Sequence, residues 1–229
     1  MNRKVHRRIK RALDILGAVI GLVLTAPLFV ILPLIIKLDS SGPVFYTQLR
    51  VGQNRRQRNR RDDRGNGTTA SGRRLRQRRR DDTYGRIFNV IKFRTMKDDA
   101  EKESGPVWAV KDDPRVTRLG RILRKTRLDE IPQLINVLKG DMSLVGPRPE
   151  RPEFVRQLMA TVDGYEQRLS VKPGITGLAQ VENGYDTSVD SVARKVRLDL
   201  EYIERWSLWL DFKILCKTFV VVLTGRGAC

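Results

Sequence analysis

The sequence of 229 residues predicts an α+β fold that is mainly α, with a bent N-terminal helix, a small β-hairpin and a helical remainder. Three observations support this fold. An uncharged apolar run near the N-terminus carries two prolines, two strand-like stretches follow it, and the rest alternates short amphipathic patterns with glycine and proline. The length and a hydrophobic content of 40% suit one domain of ordinary size with its own core.

The charge of the chain is strongly positive. Forty-five lysines and arginines against 26 acidic residues give a net charge of +19, which predicts a partner with dense negative charge, such as nucleic acid, anionic lipid or a phosphorylated substrate. Cys216 and Cys229 offer no disulfide framework, and His6 alone cannot build a histidine metal site. The chain is therefore predicted to face the cytosol.

The first 40 residues contain the bent helix. Six basic residues precede an uncharged run, Ile15 to Ile36, which could cross a bilayer core of about 30 Å as a straight helix. Pro27 and Pro33 each remove a backbone hydrogen bond inside this run, so a bend is expected. Because both flanks are basic, we favour a helix that enters and leaves a membrane by the same face. A straight span, a cleaved signal peptide and a buried helix of a soluble protein remain alternatives.

A β-hairpin with an unusual tip is predicted next. Its strands are Val44 to Val51 and Ile87 to Arg94. Residues 53–84 between them hold twelve arginines and one sizeable aliphatic residue, Leu75, and so cannot bury a core. We interpret them as a disordered insertion, either solvated or bound to anionic lipid. Nucleic-acid binding is disfavoured, because no aromatic residue is interleaved with the arginines as a stacking platform.

Two adjacent carboxylates, Asp129 and Glu130, lie in a basic neighbourhood. An apolar stripe predicts a helix that begins near Leu128 or Asp129 and ends at Gly140, because Pro132 is tolerated only in a first turn. The pair could then simply cap the helix and complement its dipole. Alternatively, this positive helix start could bind a phosphorylated substrate, with one carboxylate as nucleophile and a cation such as Mg²⁺ offsetting the repulsion.

The loop after this helix supports the second interpretation. Arg148 lies between Pro147 and Pro149, so its backbone is restricted and its guanidinium is expected to be pre-positioned for bidentate phosphate binding. No phosphate-binding fingerprint of the Walker or dinucleotide type occurs in the sequence, so a kinase or a Rossmann enzyme is not supported. Asp141 is expected to be structural, capping the turn that follows the helix.

Three blocks of the sequence resemble bacterial sugar transferases that act as polyprenyl-phosphate hexose-1-phosphate transferases, or monotopic phosphoglycosyl transferases. The blocks are FNVIKFRTM (88–96), DDPRVTRLGRILRKTRLDEIPQLINVLKGDMSLVGPRP (112–149) and VKPGITGLAQV (171–181). The resemblance implies a protein of the bacterial inner membrane with a re-entrant helix at residues 1–40. A catalytic domain at residues 41–229, interrupted by the insertion, would then lie on the cytoplasmic face.

The resemblance also implies a reaction. A UDP-sugar gives its sugar 1-phosphate to the enzyme and then to a polyprenyl phosphate, starting exopolysaccharide or other glycan assembly. Asp129 is then the nucleophile and the ligand of a Mg²⁺ cofactor, and Glu130 assists proton transfer when the lipid attacks. Substrate phosphates are expected to contact Arg148, Arg124, Lys92 and Arg94. The last two could instead be cations on an exposed strand face.

The expected partners are therefore the UDP-sugar, the polyprenyl phosphate and membrane lipids, and a homodimer is left open. The rival hypothesis is a membrane-anchored nucleic-acid-binding protein without enzyme activity, which would use the arginine-rich insertion. The family often has serine before the proline of the membrane-helix break, where this chain has Ala26. Thr25 is then the candidate to satisfy the backbone carbonyl that Pro27 frees.

Three further helices are predicted. Val116 to Lys125 is a basic helix, and Ser188 to Arg205 has one apolar side suited to core packing. Trp206 to Gly225 combines tryptophans, aliphatic residues and lysines, which is typical of a helix at a membrane interface. A buried core helix is the alternative for this last segment.

Overall fold

The fold is mainly helical, in a computed structural model that describes residues 3–54, 84–98, 100, 113–182 and 189–224. The helices are α1 (Arg3–Thr25), α2 (Leu28–Asp39), α3 (Arg118–Lys125), α4 (Gln133–Lys139), α5 (Pro152–Thr161), α6 (Leu178–Glu182), α7 (Val189–Glu204) and α8 (Leu208–Thr224). The strands are β1 (Phe45–Val51), β2 (Ile87–Phe93), β3 (Ser143–Val145) and β4 (Gly174–Thr176). The mainly helical fold with a small hairpin is confirmed.

The N-terminal segment forms two helices with a break at Ala26 and Pro27, as predicted, whereas α2 continues through Pro33. Among the described residues neither helix alone is long and apolar enough to cross a membrane. Taken together, Val5–Thr25 and Leu28–Asp39 meet this requirement by length and composition, with a bend of 59° between them. The expectation for Thr25 is wrong, because its hydroxyl donates to the carbonyl of Gly21 at 2.6 Å. The carbonyl freed by the proline, that of Val23, accepts from the Ala26 N–H at 3.3 Å.

The first half of α1 packs on the rest of the protein through polar contacts. The buried Asp14 carboxylate accepts hydrogen bonds from the Ser143 hydroxyl (2.9 Å) and the Leu144 N–H (3.0 Å) at β3. The Arg11 guanidinium donates to the carbonyls of Val137 (2.6 Å) and Leu138 (2.8 Å) in the last turn of α4, where a cation is favoured. These contacts fix α1 against the region that carries the acid pair.

The predicted hairpin is present, with strands one residue shorter than expected. β1 and β2 are antiparallel, and Phe45 pairs with Phe93 while Val51 pairs with Ile87. The predicted disordered insertion, residues 53–84, lies almost entirely outside the described residues. A second sheet, which the sequence did not reveal, pairs β3 and β4 in parallel. Three-residue strands are too short to show the alternation from which strands are predicted.

The helix predicted from Leu128 to Gly140 is divided. Leu128–Glu130 forms a 3₁₀ turn, and α4 starts only after Pro132, which occupies the N-cap position. The missing N–H of the proline would have been needed to continue one helix from the turn. Gly140 ends α4 in a left-handed conformation, with φ of 84°, as expected for a helix-terminating glycine.

Apolar packing holds α4 against β2. Phe88 and Val90 of β2 form one buried cluster with Val137 of α4 and Met142, and Ala18 of α1 closes it. The buried Asn136 adds polar contacts, since its amide donates to the carbonyl of Asn89 (2.7 Å) and accepts from the N–H of Ile91 (3.1 Å). The turn with the acid pair thus lies beside β2.

The last two helices differ in burial. α7 packs Val192 and Val196 into a core with Val155 of α5, as its apolar side predicts. In α8, Ile214 is buried, but Trp209 and Phe219 are 62% and 67% exposed. A fully buried core helix at this position is therefore wrong, and α8 presents an aromatic outer face.

Candidate active site

A cleft of about 770 Å³ lies between β2, the turn that carries the acid pair, and the loop after β3. Its lining includes all six residues predicted from the sequence, together with apolar residues of α6 and α8. The six are Lys92, Arg94, Arg124, Asp129, Glu130 and Arg148. Asp141 is not among the lining residues and instead pairs with Arg86, at 3.3 Å between charged atoms.

The turn that carries the acid pair has an unusual backbone. Arg127 adopts a left-handed conformation, with φ of 58°, and is the one non-glycine residue with positive φ among those described. Asp129 and Glu130 follow it and are both buried. Neither side chain caps a helix, because the N-cap positions of the 3₁₀ turn and of α4 belong to Arg127 and Pro132. The helix-capping interpretation of Asp129 is therefore wrong.

Glu130 is held by two cations. Its carboxylate accepts from the Lys92 ammonium at 2.8 Å and from the Arg148 guanidinium at 2.6 Å. Burial alone would raise the pKa of Glu130, but Arg148 and Lys92 outweigh burial and hold that pKa well below its ordinary value. Glu130 is therefore ionised at neutral pH while these contacts persist.

Asp129 is much less well satisfied. Its Oδ1 atom is buried without a hydrogen-bond partner, and its Oδ2 atom lies 3.9 Å from the Lys92 ammonium. Burial raises the pKa of Asp129, Lys92 opposes that effect, and the neighbouring Glu130 adds to it. An unsatisfied buried carboxylate oxygen costs stability, and such groups are characteristic of functional sites.

The acid pair fits a magnesium ion only together with a substrate. In the described ranges, no group of three or more acidic, histidine or cysteine side chains could hold a metal. Mg²⁺ is commonly bound by one or two carboxylates plus the phosphates of a substrate, with water completing the shell. Asp129 lines the cleft and its Oδ1 atom has no hydrogen-bond partner, so its carboxylate fits the role of such a ligand.

Arg148 and Lys92 form the cationic wall of the cleft. Glu130, the largest influence, raises the pKa of Arg148 against the opposing effect of burial. The pKa of Lys92 is lowered, because burial outweighs the attraction of Glu130. The Lys92 side chain is only 22% exposed, so the alternative of a cation on an exposed strand face does not describe it.

Arg124 and Arg94 lie in the same cleft but do not bond to the acid pair. The Nε atom of Arg124 donates to the Thr95 hydroxyl at 3.0 Å, and its charge, like that of Lys92, opposes the rise that burial causes in the pKa of Asp129. Arg94 is buried and reaches the end of α2, where its Nη2 atom donates to the carbonyl (2.6 Å) and hydroxyl (3.0 Å) of Ser40. Its Nε and Nη1 atoms are buried without hydrogen-bond partners. One edge of Arg94 thus holds the end of α2, a role that the sequence did not suggest.

Three residues that support the site were not predicted from the sequence. Arg168 and Arg50 donate to backbone carbonyls of the loop that carries Arg148, and Asn136 ties α4 to β2. A signal existed for Asn136 alone, because an amide inside an apolar helical stripe has to find buried partners. Nothing in the local sequence distinguishes Arg168 or Arg50 from the many other arginines of this chain.

Comparison of the sequence with those of known proteins identifies its family. The family described as "Bacterial sugar transferase" matches residues 5–59 and 68–225. A UDP-N-acetylgalactosamine-undecaprenyl-phosphate N-acetylgalactosaminephosphotransferase of Aeromonas hydrophila is 42% identical over 98% of this chain and 46% of its own length. UDP-glucose:undecaprenyl-phosphate glucose-1-phosphate transferases of Escherichia coli K12 and Caulobacter vibrioides are each 38% identical over 96% of this chain, and over 41% and 71% of their own lengths.

The similarity therefore covers nearly all of the chain, including the acid pair, the cationic wall and both N-terminal helices. The chain spans less than half the length of the Aeromonas and Escherichia relatives. On the extent of the match, the protein belongs to the bacterial sugar transferase family.

Proposed function

We propose that this protein transfers a sugar 1-phosphate from a UDP-sugar to a polyprenyl phosphate through a covalent intermediate on Asp129. The observation that carries the proposal is the asymmetry of the acid pair. Glu130 is fully paired with Lys92 and Arg148, whereas Asp129 keeps a buried oxygen without a partner. The relatives support the reaction class, since their names specify undecaprenyl phosphate and, in these three cases, UDP-N-acetylgalactosamine or UDP-glucose.

In the first step, the Asp129 carboxylate attacks the phosphorus that bears the sugar. A bond forms between its oxygen and that phosphorus, the bond to the UMP oxygen breaks, and UMP leaves with the electron pair. In the second step, an oxygen of the polyprenyl phosphate attacks the same phosphorus and displaces the aspartate. The product is a polyprenyl diphosphate sugar, and the carboxylate of Asp129 is restored.

The cationic wall stabilises charge during both steps. Arg148 offers a planar fork for two phosphate oxygens and Lys92 offers a point charge, and both lie within hydrogen-bonding distance of Glu130. Arg124 and the free edge of Arg94 extend this positive lining along the cleft. A bound Mg²⁺, held by Asp129 and the substrate, would offset the repulsion between the carboxylate and the diphosphate.

Glu130 becomes a proton acceptor only when a substrate is present. Lys92 and Arg148 hold its pKa well below the ordinary value. A diphosphate in the cleft competes for the same two cations, which weakens their hold on Glu130 and raises its pKa. The carboxylate is then able to accept a proton from a protonated lipid phosphate as that phosphate attacks.

The N-terminal helices and α8 provide the membrane attachment in this proposal. The outer residues of α1 and α2 are apolar and exposed, as are those of α8, and neither face has a protein partner in the described part of the chain. Examples on α1 and α2 are Leu24, Val30, Leu34 and Leu38, and examples on α8 are Trp209, Phe219 and Leu223. A bent helix pair that enters and leaves by the cytoplasmic face accounts for the 59° bend and the two basic flanks.

Topology can be tested with single cysteines at positions 2 and 45, in a background where Cys216 and Cys229 are replaced by serine. Both positions should resist an impermeant thiol reagent in intact cells and react after permeabilisation. Labelling of only one of them in intact cells would rule out a re-entrant helix and indicate a straight span.

The function is tested by a screen for UMP release across UDP-sugars with polyprenyl phosphate and Mg²⁺. At least one UDP-sugar should release UMP and yield a lipid-linked sugar diphosphate, and Asp129→Asn provides the blank. If no UDP-sugar releases UMP above that blank, the proposed reaction is wrong.

A further inference from the structure

The loop that carries Arg148 is held by other elements at every carbonyl from residue 147 to residue 150. Each carbonyl accepts one hydrogen bond from a different donor. The donors are the Gly174 N–H to Pro147 (2.9 Å), Arg168 Nη2 to Arg148 (3.0 Å), Arg50 Nη1 to Pro149 (3.2 Å) and the Val51 N–H to Glu150 (2.9 Å). Two of the four donors are backbone N–H groups, those of Gly174 in β4 and Val51 in β1, so these two contacts form together with the strands. The other two are arginine side chains.

Arg168 is the more deeply buried of these two arginines, with an exposed fraction of only 3%. Its Nε and Nη2 atoms lie 3.1 and 2.8 Å from Oδ2 of Asp199, and its Nη1 atom donates to the Tyr165 hydroxyl at 2.8 Å. Asp199 is 1% exposed. The two contacts with Asp199 thus fix the plane of the guanidinium, and the same Nη2 atom reaches the carbonyl of Arg148.

A buried ion pair of this kind is a poor way to gain stability alone. Removing two charges from water costs several kcal/mol per ion, and apolar side chains of similar size often stabilise a core equally well. What an apolar pair could not supply is a donor aimed at the Arg148 carbonyl. The contact between Arg168 and the Arg148 carbonyl therefore indicates a role for Arg168 in the site rather than in the stability of the core.

We propose that Arg168 is a positioning residue for the transfer reaction. By holding the carbonyl of Arg148, it fixes the backbone torsion from which the Arg148 side chain extends, and so places that guanidinium on Glu130 and on the substrate diphosphate. Pro149 already restricts the same torsion, because a residue before proline avoids the helical region, and Arg168 selects the position within the remaining range. A displacement of about 1 Å at a positioning group can cost about 10²-fold in rate.

The kinetic consequence rests on the proposed function, and a double-mutant cycle tests it. Arg168→Lys keeps a positive charge beside Asp199 but loses the planar fork that reaches the Arg148 carbonyl. We expect the kcat for UMP release to fall by about 10²-fold. In a background that already carries Arg148→Lys, the same substitution should cost less than about threefold, because coupled residues are not additive. An equal loss in both backgrounds would overturn the positioning role.

Two further variants separate positioning from folding. Tyr165→Phe removes the partner of Nη1 in the same buried network but leaves the contact with the loop, so its kcat should stay within about threefold of the unmodified protein. The pair Arg168→Met with Asp199→Leu replaces the ions by apolar groups that preserve the core. This double variant should fold and still lose activity as Arg168→Lys does. Full activity in a folded double variant would show that Arg168 serves stability alone.

A measurement without substrate makes the inference independent of the reaction. Phenylglyoxal, an arginine-specific reagent, modifies Arg148 at a rate that peptide mass spectrometry can follow, and the exposed Arg86 serves as an internal reference. Release of Arg148 from Glu130 should speed its modification at least fivefold in Arg168→Lys and leave it unchanged in Tyr165→Phe. If the modification of Arg148 speeds up in Arg168→Lys while no UDP-sugar releases UMP from the unmodified protein, the positioning role of Arg168 is supported and the proposed reaction is wrong. An unchanged rate in Arg168→Lys would overturn the positioning role.

Discussion

The two regions that meet at the acid pair are built in opposite ways. In the loop from Pro147 to Glu150, every carbonyl accepts a hydrogen bond from another element, and Arg148 extends from a fixed backbone. In the turn that follows α3, Arg127 is held at a positive φ and Asp129 keeps a buried oxygen without a partner. Hydrogen bonds fix the loop at every carbonyl, whereas the turn retains a strained backbone at Arg127 and an unpaired carboxylate oxygen at Asp129.

This difference assigns distinct tasks to the two regions. Cations that stabilise a transferred phosphate are most effective when their positions do not change during the reaction, which a pinned loop provides. A nucleophile has to remain available for a new bond, so the carboxylate that is to react is the one left unsatisfied. Strain and orphan groups persist in a fold only where the surroundings impose them, and here the packed β2 and α4 do so.

Among substitutions in the loop from Pro147 to Glu150, the largest effect is expected from Arg148→Lys. Lysine retains the charge but cannot bind two phosphate oxygens with one planar group, so turnover should fall by about 10²-fold. The thermal midpoint should change little, because an ammonium can still pair with Glu130. Steady-state UMP release and a melting curve on the same preparation check both statements. Turnover equal to that of the unmodified protein would remove Arg148 from the site.

A smaller effect is expected from a substitution of Glu150, at the end of the loop that carries Arg148. Its carboxylate lies 2.7 Å from the Lys195 ammonium and 3.6 Å from Arg50. Burial would raise the pKa of Glu150, but Lys195, Arg168 and Arg50 outweigh it and lower the pKa from 4.5 to about 2. A carboxylate with a lowered pKa contributes stability that is complete above about pH 4.5 and is lost as the pH falls from there to about 2.

Glu150→Gln should therefore lower the free energy of unfolding at neutral pH by about 3 kcal/mol and flatten its dependence on pH in that acidic range. Denaturant unfolding of both proteins between pH 7 and pH 2.5 measures this. Glu153→Gln is the matched control, because that side chain is 55% exposed and its ion pair with Arg151 is long, at 3.7 Å. Equal acid sensitivity of the Glu150 variant and the unmodified protein would contradict the account of the loop.

The smallest effect is expected in the strained turn. At position 127 we compare Arg127→Gly with Arg127→Ala, since both remove the same side-chain contacts. Glycine adopts positive φ at little cost in free energy, whereas alanine is destabilised there by about 1 kcal/mol. The melting temperature of the glycine variant should therefore be about 3 °C higher. Differential scanning calorimetry resolves this difference. An alanine variant of equal or higher melting temperature would show that the turn is not strained at Arg127.

The parts that the sequence predicted are those that local chemistry determines. Pro27 breaks the N-terminal helix, and Gly140 ends α4. These outcomes depend on a missing N–H and on a left-handed φ. Asp129, Glu130 and Arg148 were also predicted from local sequence, whereas Lys92, Arg94 and Arg124 were expected in the site only through the family resemblance.

The parts that were missed depend on contacts between distant segments. Pro132 was expected in a first helical turn, but a proline is equally compatible with the N-cap of a later helix, and tertiary packing decides between the two. Arg168 contacts a carbonyl 20 residues away, and Arg94 contacts Ser40 across 54 residues. A chain with 45 basic residues gives no local signal for which of them are buried.

The central claim is that Asp129 carries the phosphosugar, and intact-protein mass spectrometry after incubation with UDP-sugar, and without lipid acceptor, tests it most directly. The unmodified protein and Asp141→Asn, a matched loss of one carboxylate outside the cleft, should both gain the mass of one phosphosugar. Glu130→Gln should also be loaded and be impaired mainly in transfer to the lipid. Asp129→Asn should remain folded and gain no mass, since asparagine cannot form the acyl phosphate. An adduct that persists on Asp129→Asn would contradict the assignment.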